Sequence, residues 1–236
     1  MLTSVSLSPI DYINMKKPIV KVLIPGIPLK TPYGGLGYCS VTLIVDGARR
    51  ILFDTGHYSV RRSIAAYIRL YRINTLFLSH LHFDHCLNAD LFADRGIKIY
   101  VHEKEVRRLK RHKIGDVFTF YHFSKIVKNK SLSTFKKTFF LSPNVFAIET
   151  PGHTAGHSSL AVKNLSQPLI VAGDAIKTYE DMIAKSNKAD TATENRGQIR
   201  KTKQYIKKHF FTIIPGHDVV LVNGHKSSQV TDFFKF

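Results

Sequence analysis

Ser79-His80-Leu81-His82-Phe83-Asp84-His85 follows directly on the short apolar run from Thr75 to Leu78. In an extended chain, residues i and i+2 point to the same side, so His80 and His82 are placed to grip one ion together. A turn into helix after His82 would swing Asp84 and His85 onto a neighbouring position. Imidazole and carboxylate are the ligands that borderline first-row metals such as zinc prefer. The plainer alternative is a surface histidine cluster. A structural zinc site is disfavoured, because such sites usually lean on cysteine and none fits here.

Three further strand ends carry residues of the same kind. Thr150-Pro151-Gly152-His153-Thr154-Ala155-Gly156-His157-Ser158 sets His153 in a glycine-lined turn, where backbone can come close to an ion or substrate. Ala172-Gly173-Asp174-Ala175 supplies a carboxylate able to bridge two cations, and Pro215-Gly216-His217-Asp218 supplies one more imidazole. Each pair taken alone is an ordinary turn. In order behind the first cluster they form a set.

That set resembles the ligand signature of the metallo-β-lactamase superfamily, from the Asp54-Thr55-Gly56 strand end to His217. The resemblance implies an αββα sandwich with its site at one edge. It implies that His80, His82 and His153 bind a first metal, that Asp84, His85 and His217 bind a second, and that Asp174 bridges them. Asp54 matches the family's aspartate that orients a ligand histidine, as metal sites generally require; a turn or N-cap role is its simpler reading. Two cations together can activate a bridging water to hydroxide near neutral pH and stabilise the developing oxyanion. Asp84, beside that water, reads either as a proton shuttle to the leaving group or as a ligand only. Zinc is the default metal, and iron or manganese suit the same donors.

Substrate must come from the site, because the fold hosts many reactions. The His80 to His85 and Thr150 to Ser158 motifs look most similar to the N-acyl homoserine lactonase group, which implies a lactone or ester substrate. This sequence departs from that group after Asp174. Those lactonases place a tyrosine three residues later to steer the carbonyl, whereas here the position is Lys177, with Tyr179 out of register. Small single-domain members that process RNA are also similar in length, and a thioesterase of the glyoxalase II type is a third alternative.

The remaining sequence reads as one domain over residues 1–236, α/β in class, with sheet packed on sheet and helices outside. Strands are expected at Ile19 to Ile24, Tyr38 to Val45, Arg50 to Phe53, Lys98 to Val101, Val145 to Glu149, Ser159 to Val162, Leu169 to Ala172 and Thr212 to Ile214. Pro25 to Gly37 reads as an irregular loop, and Phe118 to Leu141 carries no clear period. Helices are expected at Tyr58 to Tyr71, Glu103 to Lys113 and Thr193 to Lys208. His57 is placed near the rim of the site. His157 is expected to be structural, and Cys86 a buried apolar residue.

Lys plus Arg is 35 against 17 acids, a net charge of +18. Such a field draws anions, nucleic acid or acidic metabolites among them. Candidate phosphate contacts are Arg107, Arg108, Lys110, Arg111, Lys113, Arg196, Arg200, Lys201 and Lys203, or these are simply solvated helix faces. No apolar run approaches a membrane span. The lack of a secretory pattern and the two cysteines, Cys39 and Cys86, point to a cytoplasmic protein with free thiols.

Overall fold

The computed structural model describes residues 17–28, 30, 31, 34, 35, 38–111, 119, 123, 124, 126–184 and 193–227. Two sheets dominate. The first runs in the order β1 (Ile19–Ile24), β4 (Val41–Asp46), β5 (Arg49–Phe53), β6 (Thr75–Phe77), β7 (Lys98–His102), β8 (Leu132–Phe135). The second runs β15 (His225–Lys226), β14 (Leu221–Val222), β13 (Thr212–Pro215), β12 (Leu169–Gly173), β11 (Ser158–Val162), β10 (Val145–Glu149), β9 (Phe139–Phe140). A separate ribbon pairs β2 (Lys30–Thr31) with β3 (Gly34–Gly35). The helices are α1 (Arg61–Leu70), α2 (Phe83–Cys86), α3 (Asp90–Ala93), α4 (Glu103–Arg111), α5 (Tyr179–Ile183) and α6 (Arg196–His209).

The period of two along the strands decides the layering. In β4 and β5, Ile44, Ile51 and Phe53 join Leu160, Val162, Leu169 and Val171 of the second sheet in a core between the sheets. Their neighbours Leu43, Val45 and Leu52 turn the other way, onto Ile64 and Ile68 of α1 and Phe92 of α3. Likewise Ile170 and Ala172 of β12 leave the central core and pack with Ile206 of α6 and Met182 of α5. Strands apolar on both faces, each face covered, give four layers: helices, sheet, sheet, helices. Phe53, Phe77 and Phe135 stack in series between the sheets at 5.7 and 5.6 Å between ring centres, within the preferred range for offset rings.

The parallel pairs β5–β6, β6–β7 and β12–β13 point their carboxyl ends at the same edge. Asp54, the His80 to His85 stretch, Asp174 and His217 all leave strands there. Two backbone hydrogen bonds stitch the sheets together at that edge, Ser158 N–H to Ser79 O at 3.0 Å and Ser40 N–H to Gly216 O at 2.6 Å.

Some expectations need adjustment. Tyr38 is outside β4 and forms an isolated bridge with Ile27, so the segment expected to be wholly irregular carries that bridge and the β2–β3 ribbon. The first helix begins as a 3-10 turn at Tyr58–Val60, capped by the His57 ring, which accepts from Ser59 N–H at 3.2 Å. Phe118 to Leu141, which carries no clear period in the sequence, contains β8 and β9. Neither cysteine is in a disulfide and both are buried, Cys86 within the apolar core. Among the described residues no helix is long and apolar enough to cross a membrane.

Two of the candidate phosphate contacts are spent internally. Lys203 faces inward on α6, is buried, and pairs with Asp181. Arg108 reaches Leu81 O at 3.1 Å and the carboxylate of Glu105 at 3.4 Å. A helix positions a side chain by its face, and a basic run in sequence does not reveal which members point in. Arg107 pairs with Glu103 one turn away. His112, Lys113 and His122 lie outside the described residues.

Candidate metal centre

The first cluster has the two-part backbone that its spacing predicts. His82 is extended, at φ −88 and ψ 151, and α2 begins at the next residue. His80 and His82 therefore share one side, and the helical turn carries Asp84 and His85 beside them. His80 Nε2 lies 2.9 Å from His82 Nδ1, which lies 3.0 Å from His153 Nε2. On the other side of the site, His217 Nε2 and His85 Nε2 stand 3.4 and 3.5 Å from Asp84 Oδ2.

Asp174 stands between the two groups. Its Oδ2 is 3.3 Å from His153 Nε2, while its Oδ1 is 3.3 Å from His85 Nε2 and 3.1 Å from His217 Nε2. His85 Nε2 and Asp174 Oδ1 are buried and close enough to interact electrostatically, yet neither makes a hydrogen bond. Buried polar atoms left so are rare unless something else is meant to satisfy them. Among the described residues, potential ligand atoms of four overlapping trios lie within 4.8 Å of one another: His80–His82–His153, His80–His85–Asp174, Asp84–His85–His217 and, behind His85, Cys39–Asp54–His85. The structure thus brings together all seven residues singled out in the sequence.

The protonation of His80, His82 and Asp174 fits ligands. Burial, reinforced by neighbouring imidazoles, holds His80 and His82 well below the usual histidine range, so both keep free lone pairs near neutral pH. Burial alone would raise Asp174, but His217, His85, His153 and Lys177 overcome it and hold the carboxyl well below its ordinary value. Burial also works against a proton on His85. The Cys39 sulfur and the carboxylates of Asp84, Asp174 and Asp54 push the other way and prevail. Since burial drives the Cys39 thiol up to about 12, it is uncharged near neutral pH, and the carboxylates carry that effect.

Around the cluster stands a rigid frame. Asp54 is fully buried and sits at φ +59, a left-handed conformation that side chains other than glycine adopt at a cost. Its Oδ2 meets His85 Nδ1 at 2.8 Å and accepts from Ser79 Oγ at 2.8 Å; Oδ1 accepts from Ser79 N–H at 2.8 Å. The orienting role read for Asp54 is therefore matched by geometry. Gly216 is required because a methyl group there would overlap Asp174 Oδ1.

His157 is buried and bonds through Nδ1 to Thr150 Oγ1 at 2.9 Å, and it is absent from the ligand trios, as its structural reading requires. His57 lies between the rings of Tyr38 and Phe83, at 6.1 and 6.0 Å between centres, on a partly exposed aromatic wall.

Two residues went unread in the sequence. Glu105 lies in the helix expected from Glu103 to Lys113 and drew no reading of its own. It is fully buried, and its two oxygens accept from Leu81 N–H and Gly156 N–H, each at 3.0 Å. It thereby ties the His80–His82 loop to the His153 loop. A side chain at Gly156 would collide with it. The signal was present: Glu105 shares a helix face with the apolar Val106 and Leu109, both buried. Glu194 completes the tie, accepting from Ala155 N–H at 2.9 Å while its own N–H donates to His153 O at 3.0 Å.

A two-sheet sandwich with a histidine and aspartate cluster at one edge defines a metal-dependent hydrolase. The sequence profile of the Metallo-beta-lactamase superfamily matches residues 34–217, and the chain belongs to that superfamily. Among curated proteins, an N-acyl homoserine lactonase of Bacillus sp is 27% identical over 150 residues, 63% of this chain and 57% of the lactonase. The aligned stretch thus spans little more than half the length of that relative. Among solved structures, a Thermotoga maritima protein described as a metallo-beta-lactamase superposes with a TM-score of 0.67 at 21% identity, over 87% of this chain and 99% of the other. An N-acyl homoserine lactone hydrolase, solved with N-hexanoyl-L-homoserine at its catalytic metal centre, gives 0.62 at 20% identity over 86% and 94%. At such identities the structural likeness speaks for the fold.

Proposed function

We propose that this chain hydrolyses lactones or related small esters at a two-metal centre. His80, His82 and His153 would hold one divalent cation, Asp84, His85 and His217 the other, and Asp174 would contact both. The observation that carries this reading is the division of Asp174, whose two oxygens face two separate imidazole groups. A single-metal site has no use for that arrangement. The donors are all nitrogen and oxygen, which suits zinc first and accommodates iron or manganese.

When bound, the cations supply Lewis acidity and an activated water. The protein's own residues do the rest. Asp54 fixes the ring of His85 through Nδ1, leaving Nε2 to face the cluster. Asp84, with its side chain 12% exposed, lies where a proton can be received and passed to the departing alcohol. Water oxygen joins the acyl carbon, the ester C–O bond breaks, and the water proton ends on the leaving oxygen. A lactone opens to a hydroxy acid. The lactone preference rests on the curated relative's activity and on the shared motifs, and the aromatic wall of Tyr38, His57 and Phe83 offers an apolar surface beside the cluster.

Metal-analysed protein is expected to open N-acyl homoserine lactones, measured by proton release, and to leave single-stranded RNA and DNA intact. Cleavage of nucleic acid without lactone turnover would replace this reading with a phosphodiesterase and give the basic surface a substrate role.

Glu105→Gln tests the frame. The amide keeps one acceptor oxygen for two backbone donors. Expected are a loss of about 1–3 kcal/mol in stability and roughly tenfold weaker binding of one of two metal equivalents. A lowered melting temperature with both equivalents unaffected would show that Glu105 serves the fold alone.

A further inference from the structure

α6 runs from Arg196 to His209 without an acidic residue. Its inward face, Ile199, Thr202, Lys203 and Ile206, is buried. Thr202 Oγ1 donates to Pro151 O at 2.8 Å and Ile199 packs on Gly152, so the opposite face looks away from the metal centre. That outward face is exposed and carries Arg200, Lys201, Lys207 and Lys208. The carboxylate nearest the helix, Asp181, is spent on the inward Lys203. Among the described residues none stands at ion-pair distance from Arg200, Lys201 or Lys208. Cations in the last turn suit the helix dipole, which accounts for Lys207 and Lys208. Arg200 and Lys201 lie in the middle of the helix, where the dipole gives them nothing, and cations crowded on one face repel each other.

A second feature sits on the same face. Tyr205 and His209 stack, with ring centres 4.3 Å apart and planes at 29°. His209 Nδ1–H donates to Tyr205 O at 2.8 Å, which holds the two rings together. Tyr205 is 50% exposed, so the pair is a flat aromatic surface open to solvent. Helical spacing puts Lys201, Tyr205 and Lys208 on neighbouring rows. The two ammonium groups are thus separated by roughly 10 Å along the axis at about 1.5 Å per residue, with the ring between them.

We propose that the outward face of α6 is a docking surface for single-stranded nucleic acid. Lys201 and Lys208 meet phosphates, Arg200 and Lys207 extend the positive field, and a base stacks on Tyr205. Charge complementarity selects a polyanion, and the net charge of +18 steers it to the protein. The prearranged ring pair selects a strand with free base faces over a lipid headgroup surface, because stacking needs a flat partner. Docking breaks no bond, and it stands whether or not the metal centre opens lactones.

The test is fluorescence anisotropy of a labelled oligothymidylate of about 16 nucleotides, titrated with the whole protein at several salt concentrations. Wild type should bind, and added salt should weaken the complex. The double variant Lys201→Gln/Lys208→Gln should bind about tenfold more weakly, and its slope of log Kd against log salt should be shallower by about 1.4. Tyr205→Ala should weaken binding about tenfold as well, and Tyr205→Phe, which keeps the ring, should not.

A charge-matched control separates this face from the general charge. Arg62 and Arg69 are exposed on α1, in the opposite outer layer. Arg62→Gln/Arg69→Gln removes as much charge and should leave the affinity within about twofold. Equal weakening by the two double variants would overturn the proposal and assign the binding to net charge alone. Absence of binding by wild type would overturn it too. So would an α6-dependent sedimentation with phosphatidylserine vesicles by a protein that ignores the oligonucleotide, which would make the face a lipid contact.

Discussion

Replacing Asp174 by asparagine should lower kcat/KM on a lactone by on the order of a thousandfold and reduce metal content from two equivalents to about one. The reasoning is local. The two oxygens of Asp174 face opposite halves of the cluster, His153 on one side and His85 with His217 on the other. Asparagine preserves shape and one acceptor oxygen, but its NH2 presents hydrogens where the second lone pair is needed. Its neutral amide also removes the charge that offsets two cations in a buried place. One half should keep its ion through three imidazoles, and the half that depends on Asp84 should lose affinity first. Melting temperature of the metal-free protein should fall as well, because His217, His85, His153 and Lys177 favour the carboxylate at this buried place. Full activity with two ions retained would mean that another group joins the two halves.

The second large effect is expected at Asp54. Asp54→Ala removes acceptors for Ser79 N–H, Ser79 Oγ and His85 Nδ1 in a fully buried position. Leaving such groups unpaired costs about 1–3 kcal/mol each before relaxation, and alanine at φ +59 adds backbone strain. A loss of about 3–5 kcal/mol is expected in urea unfolding. Asp54→Asn separates stability from chemistry, since asparagine tolerates the left-handed backbone. It should fold, yet it can accept only through one oxygen, and the His85 ring loses the anion that fixes its tautomer. Metal affinity should fall about 10–100-fold. If Asp54→Asn binds metal like wild type, Asp54 supports the turn and not the histidine.

The sequence reading succeeded where chemistry and local geometry coincide. His80-x-His82 followed by Asp84-His85 needs only the strand-to-helix switch at residues 82 and 83, and the backbone makes it there. Strands apolar on both faces, such as β12, already imply covered layers on each side. What escaped was set by tertiary direction. Arg108 and Lys203 read as members of basic helix faces, yet one binds Leu81 O and Glu105 and the other pairs with Asp181 inside the protein. Glu105 drew no reading of its own inside a basic helix, and its packing shows that it joins two loops distant in sequence.

The most direct test is metal stoichiometry by mass spectrometry on chelator-stripped, zinc-reconstituted protein, read beside the Asp174→Asn and His217→Ala variants. The account predicts about two ions per chain in wild type and about one in each variant. A wild-type value of one that neither variant changes would contradict it.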